Sequence, residues 1–196
     1  MIQQAFAPLI QTSIRDPRGA AGLIMAMNLG RDVLWTALAL VAVLNTFLIM
    51  LIVTTSASTT SMPLPGYFDK PLTLFVLIAG LMVVYIHAMY WAGMATGGKG
   101  NLMDVLALVV WFQVLRAIAQ TGIVVLSLAI PPIGAVMSLV VAVWGLWIFL
   151  NFLVVALNLK SAWHGLAVVL VAFVGLVLGL AFIIAMIGGA ALGVVS

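Results

Sequence analysis

Apolar residues run almost unbroken through five stretches of the chain, roughly 33–54, 71–95, 102–130, 133–157 and 162–192, while polar residues gather between them. A helix rises about 1.5 Å per residue, so about 20 apolar residues cross some 30 Å of hydrocarbon. Each stretch reaches that length. The pattern predicts an all-α fold, a polytopic membrane helix bundle of five transmembrane helices plus a short N-terminal interfacial helix. The chain then divides into a cytoplasmic amphipathic segment, 1–32, and a five-helix transmembrane domain, 33–196.

The punctuation between stretches gives helix boundaries. Asp16-Pro17 opens a short helix, as N-cap and first-turn proline, and Asn28-Leu29-Gly30 closes it. Ala20, Leu23, Ile24 and Met27 recur between them at helical spacing. Arg15 and Arg18 stand at the entrance and Arg31 follows, so the helix reads as lying in the headgroup region with these arginines on anionic lipid. A helix packed on the bundle is the other reading. The segment 54–70 is a polar loop, in which Asp69 is a candidate cap for the second span and Pro71 sits in its first turn. Residues 96–101 (TGGKGN) form a glycine-rich turn running into Asn101-x-x-Asp104, an N-cap with an acid three residues on. Pro131-Pro132 turns the third span straight into the fourth, which ends near Asn158-Leu159-Lys160, and Ser161 caps the fifth.

Composition excludes several classes of function. Only 6% of the 196 residues are charged, against about 25% in soluble domains, so no separate water-facing domain fits. The seven Lys and Arg residues are scattered without a basic face, which argues against nucleic acid. With no cysteine, disulfides, thiol nucleophiles and iron–sulfur clusters are excluded. The first apolar run exceeds the 7–15 residues of a signal-peptide core and should stay as an anchor. Arg15, Arg18, Arg31, Lys99 and Lys160 fall on one side of the five-span topology and Lys70 alone on the other, which predicts a cytoplasmic N-terminus and an external C-terminus.

Arg116 is the one cation within a span, and an arginine at mid-membrane costs about 2.5–3.5 kcal/mol on insertion scales. Gln113, Arg116, Gln120 and Ser127 share one helical face, and Trp144, Trp147, Asn151 and Asn158 repeat the same spacing on the next span. A tight hairpin at Pro131-Pro132 pairs positions whose numbers sum to about 263, bringing Arg116 level with Trp147 and Gln113 near Asn151. Asn45 enters from the same side at similar depth. These residues, Arg116, Gln113, Asn45, Trp147 and Asn151, form the expected intramembrane polar cluster, with the guanidinium over an indole. No span interior holds an acid. Three readings of Arg116 stay open: a structural residue, a site for an anionic ligand or lipid headgroup, or the partner of an acid on another subunit. His87 and His164 lack a third metal ligand, and no cofactor is expected. Ser127 and Ser138 have no base beside them, so no catalytic residue is expected. Gly175-x-x-x-Gly179 and Gly189-x-x-x-Gly193 suit close helix contact, within the chain or in self-association.

Several of these features occur together in one known family. The helix opening with Asp16-Pro17, then Gly30-Arg31-Asp32-Val33-Leu34-Trp35, then Gly97-Gly98-Lys99-Gly100-Asn101 before Asp104-Val105-Leu106-Ala107-Leu108-Val109-Val110-Trp111, the Pro-Pro hinge and Trp144, Trp147 and Asn151 resemble bacterial members of the Yip family. These are five-span proteins named in eukaryotes as Ypt/Rab-interacting proteins. The resemblance implies a cytoplasmic N-terminus and, in eukaryotes, vesicle trafficking through Rab-type GTPases. Here the N-terminal segment is too short for a substantial GTPase-binding region, and no bulky aromatic stands beside Asn101, so GTPase binding is not expected. No catalytic residue is carried over. The sequence thus points to a non-enzymatic integral protein of a bacterial inner membrane, acting on lipids or other membrane proteins. The alternative is a small transporter or channel subunit built around Arg116.

Overall fold

The computed structural model describes the backbone of residues 2–56 and 70–193, and the side chains of 6–53, 70–182 and 185. Seven helices are described: α1 (Ile2–Arg15), α2 (Pro17–Ala26), α3 (Arg31–Ser56), α4 (Pro71–Ala95), α5 (Leu102–Ala129), α6 (Pro131–Ala156) and α7 (Ala162–Gly193). The last five are each long and apolar enough to cross a membrane. The five-helix pattern read from hydropathy therefore stands, and its limits move by no more than two residues.

The caps follow the chemistry of the turns. Asp16 accepts from the Gly19 amide at 3.0 Å, Asn101 from Met103 at 3.2 Å, and Ser161 from His164 at 3.3 Å, each satisfying a first-turn amide that has no partner in its own helix. Asp69 lies outside the described residues. Lys70 occupies the α4 N-cap without a side-chain bond, and Pro71 opens the helix. A single residue, Ile130, joins α5 to α6. Ser127 faces Gly134 and Phe112 faces Phe149 across this hairpin, so facing positions sum to 261 and the register lies two residues from the expected pairing.

α5 is the centre of the bundle. It packs against α6, α3 and α4, while α7 closes on α4 and α6. Val105 through Val110 are buried all round, together with Phe149, Phe152 and Leu157 of α6 and Ile86 and Met89 of α4. This core sits at the end of the bundle that carries the 96–101 turn. There the chain comes very close to α6: the Lys99 amide donates to the Leu157 carbonyl at 2.9 Å. A Cβ on Gly100 would run into the Ala156 carbonyl, and one on Gly98 would lie 3.0 Å from that of Leu157. The glycine turn is thus a backbone clasp on α6.

The N-terminal segment differs from its expectation. Residues 2–15 form a further helix, which the pattern had not announced, and Pro8 lies inside it. α2 does pack on α6 and α5. Its buried face is Pro17, Ala20, Ala21 and Ile24, whereas Leu23 and Met27, expected to share that face, point outward. Small residues are chosen here because they let α2 lie close against its neighbours.

Candidate functional site

The polar residues singled out in the spans do not gather around Arg116. Asn151 is buried on α6, and its Oδ1 accepts from Arg18 Nε at 2.7 Å while its Nδ2 donates to the Trp147 carbonyl at 2.8 Å. The cation that reaches Asn151 is therefore Arg18 of α2, 133 positions away in the chain. Arg15 and Arg31 are exposed. Asn45 is buried and donates to Val41 of its own helix at 2.9 Å. Gln113 Oε1 and Trp35 Nε1 are buried without a hydrogen-bond partner among the described residues. Trp147 packs edge-on against Trp144 at 5.8 Å, and among the described residues it forms no cation–π contact with Arg116.

Arg116 lies fourteen residues from one end of α5 and thirteen from the other, about 20 Å of helix each way. Its side chain is exposed to a cleft of about 590 Å³ between α1, α5 and α6, which it shares with Gln120 and Ser138. Among the described residues its guanidinium makes no hydrogen bond or ion pair. On α4, the Tyr85 ring stacks on Phe149 at 5.8 Å.

α1 forms the outer wall of this cleft through Ile10 and Ile14. Two indoles hold it there. Trp111 Nε1 donates to the buried Ser13 hydroxyl at 2.9 Å, and Trp144 Nε1 reaches the Ile14 carbonyl at 3.4 Å. Phe6 adds an edge-to-face contact on Trp111 at 5.5 Å. Trp111 and Trp144 were visible as aromatic positions, but nothing in their spacing showed that their N–H groups anchor an N-terminal helix.

A second groove of about 680 Å³ lies between α4 and α7, lined by His87, Trp91 and Gly175. His87 Nδ1 is 2.8 Å from the Val83 carbonyl. Gly175 and Gly179 have no atom within 4 Å of where a Cβ would stand, and the side-chain surroundings of Gly189 and Gly193 lie outside the described residues. Among the described residues no three His, Asp or Glu side chains gather as a metal site requires.

No curated protein and no solved structure matches the chain. Residues 12–192 match the family described as Yip1 domain, a span that takes in α2, the glycine clasp, the proline hinge and all five long helices. The protein is a multi-pass integral membrane protein and belongs to the Yip1 domain family.

Proposed function

We propose that this Yip1 domain protein is non-enzymatic and acts by binding lipids and other membrane proteins through its helices, in a role akin to membrane organisation. Its place would be a bacterial inner membrane, with residues 1–32 on the cytoplasmic side and the C-terminal end outside. The five helices beyond residue 32 would form the working domain. One observation carries this reading: the motif residues end up as packing and capping devices at one end of the bundle. Gly98 and Gly100 admit α6, Asn101 caps α5, and Asn151 receives Arg18. Among the described residues none of them hydrogen-bonds to a base, an acid pair or a nucleophile. Arg15 and Arg31 remain free to meet anionic headgroups, and the open Gly175 and Gly179 face of α7 is available to a second copy. Crosslinking in native membranes, followed by gentle solubilisation, should recover a defined membrane-protein partner. Failure to recover one, with turnover of a substrate by the purified chain, would defeat the reading.

The cleft at Arg116 favours a second reading, a small anion transporter or channel subunit. Purified chain in sealed vesicles would then pass an anion, and Arg116→Gln would abolish the flux.

A further inference from the structure

The cleft between α1, α5 and α6 is a slot with apolar walls, among them Ile10, Phe112, Ile123 and Trp144. Its polar groups are few. Ser138 donates its hydroxyl to the Ala135 carbonyl at 2.7 Å, so Arg116 and Gln120, one helical turn apart, are the donors left for an occupant. A lone guanidinium and an amide between apolar walls at mid-membrane complement an anion with two oxygens, since a cation in hydrocarbon without a partner is costly. From Arg116 the slot follows α5 to Ile123, about 10 Å of helix rise. That holds the first part of a long acyl chain, and the remainder runs on into the leaflet.

We propose that this slot binds the single chain of a long-chain fatty acid, with its carboxylate on Arg116, Gln120 donating beside it, and α1 as the outer wall. A carboxylic acid suits the depth better than a phosphate does. It sheds its charge by taking a proton while crossing hydrocarbon and ionises against the guanidinium, whereas a phosphodiester stays charged throughout. The proposal rests on the reading of this protein as one that acts on lipids.

The test uses the full chain purified in non-ionic detergent and titrated with oleate and with oleyl alcohol, which has the same chain without the charge. Thermal unfolding and quenching of tryptophan fluorescence by dibromostearate are the two readouts. Oleate should raise the unfolding midpoint. Arg116→Gln should weaken oleate by about tenfold or more, the loss of one charge-assisted contact, and leave oleyl alcohol unchanged. Ala142→Trp, which fills the slot from an exposed position on α6, should weaken both. Equal affinity for oleate and oleyl alcohol would overturn the proposal, as would unchanged oleate binding in Arg116→Gln. So would Arg116-dependent binding of dioleoyl phosphatidylglycerol in preference to oleate. If any of these appears while crosslinking still captures a defined partner, the fatty-acid site is lost and the wider reading survives.

Discussion

Asn151 and Arg18 together show how a buried polar side chain is tolerated at one end of this bundle. Asn151 is 5% exposed, and its carboxamide is used at both ends, by Arg18 and by the Trp147 carbonyl. A hydrogen bond to a charged group contributes about 1.5–3 kcal/mol. Asn151→Ala should therefore lower the unfolding free energy in detergent by that amount. Arg18→Ala should cost a similar amount, and the double variant little more than either single one, because both remove the same contact. A fully additive pair would show that the contact carries no weight. The face of α6 on which Asn151 lies was legible in the spacing from Trp144 to Asn158. Its partner was not. Helical periodicity tells which residues share a face, and it set Arg116 level with Trp147 while leaving Arg18 to the lipid headgroups. Packing settled the choice, because Ala20 and Ala21 bring α2 down onto α6. Asn45 was expected in a cluster with Arg116, but a side chain buried among apolar helices can turn back onto the preceding turn of its own helix, as this one does on Val41.

The elements are delimited by turn chemistry, which is largely legible in the sequence. Asn101, Ser161 and Asp16 cap as their spacing implied. Asn28 and Asn158 end α2 and α6 in the left-handed conformation at φ of 45° and 49°, which asparagine tolerates better than most side chains. The glycines of the 96–101 turn were legible as a turn but not as a contact surface. Gly100→Ala drives a methyl into the Ala156 carbonyl and should destabilise the protein by about 1–3 kcal/mol, as overpacking does. Gly22→Ala in α2 meets nothing within 4 Å and should stabilise by about 0.5–1 kcal/mol through helix propensity. Thermal unfolding of the two variants in one detergent checks the contrast, and equal shifts would show that the clasp is loose. α1 holds Pro8 in its interior, where a proline ordinarily costs about 3 kcal/mol. Contacts made outside the helix offset that cost: the Ser13–Trp111 hydrogen bond and the Phe6 ring on Trp111. Removing both with Phe6→Ala and Ser13→Ala should release α1, and trypsin should then cut after Arg15 or Arg18 sooner than in the native chain. An unchanged cleavage rate would mean that α1 is held by other contacts.

For the whole molecule, the number of crossings was plain from hydropathy, and the order of packing was not. Lipid does not distinguish one apolar helix face from another, so small residues and close approaches choose the neighbours, as where Gly134 lies against Ser127. The alternation of five spans nevertheless fixes which connections share an end. Lys99 and Lys160 must lie together, and the Lys99 amide bound to Leu157 ties those two connections directly. Arg31, at the start of α3, belongs to the same end, and Lys70 to the opposite one. On the proposed orientation, the excess of positive charge puts the Lys99 end on the cytoplasmic side. Because the chain has no cysteine, single introduced thiols report each connection without background. Lys70→Cys should react with a non-permeant maleimide in intact cells, while Lys99→Cys and Lys160→Cys should react only after permeabilisation. The reverse pattern would invert the protein in its membrane. Equal labelling of Lys70→Cys and Lys99→Cys would be more damaging, because those residues flank α4 and can share a side only if α4 does not cross.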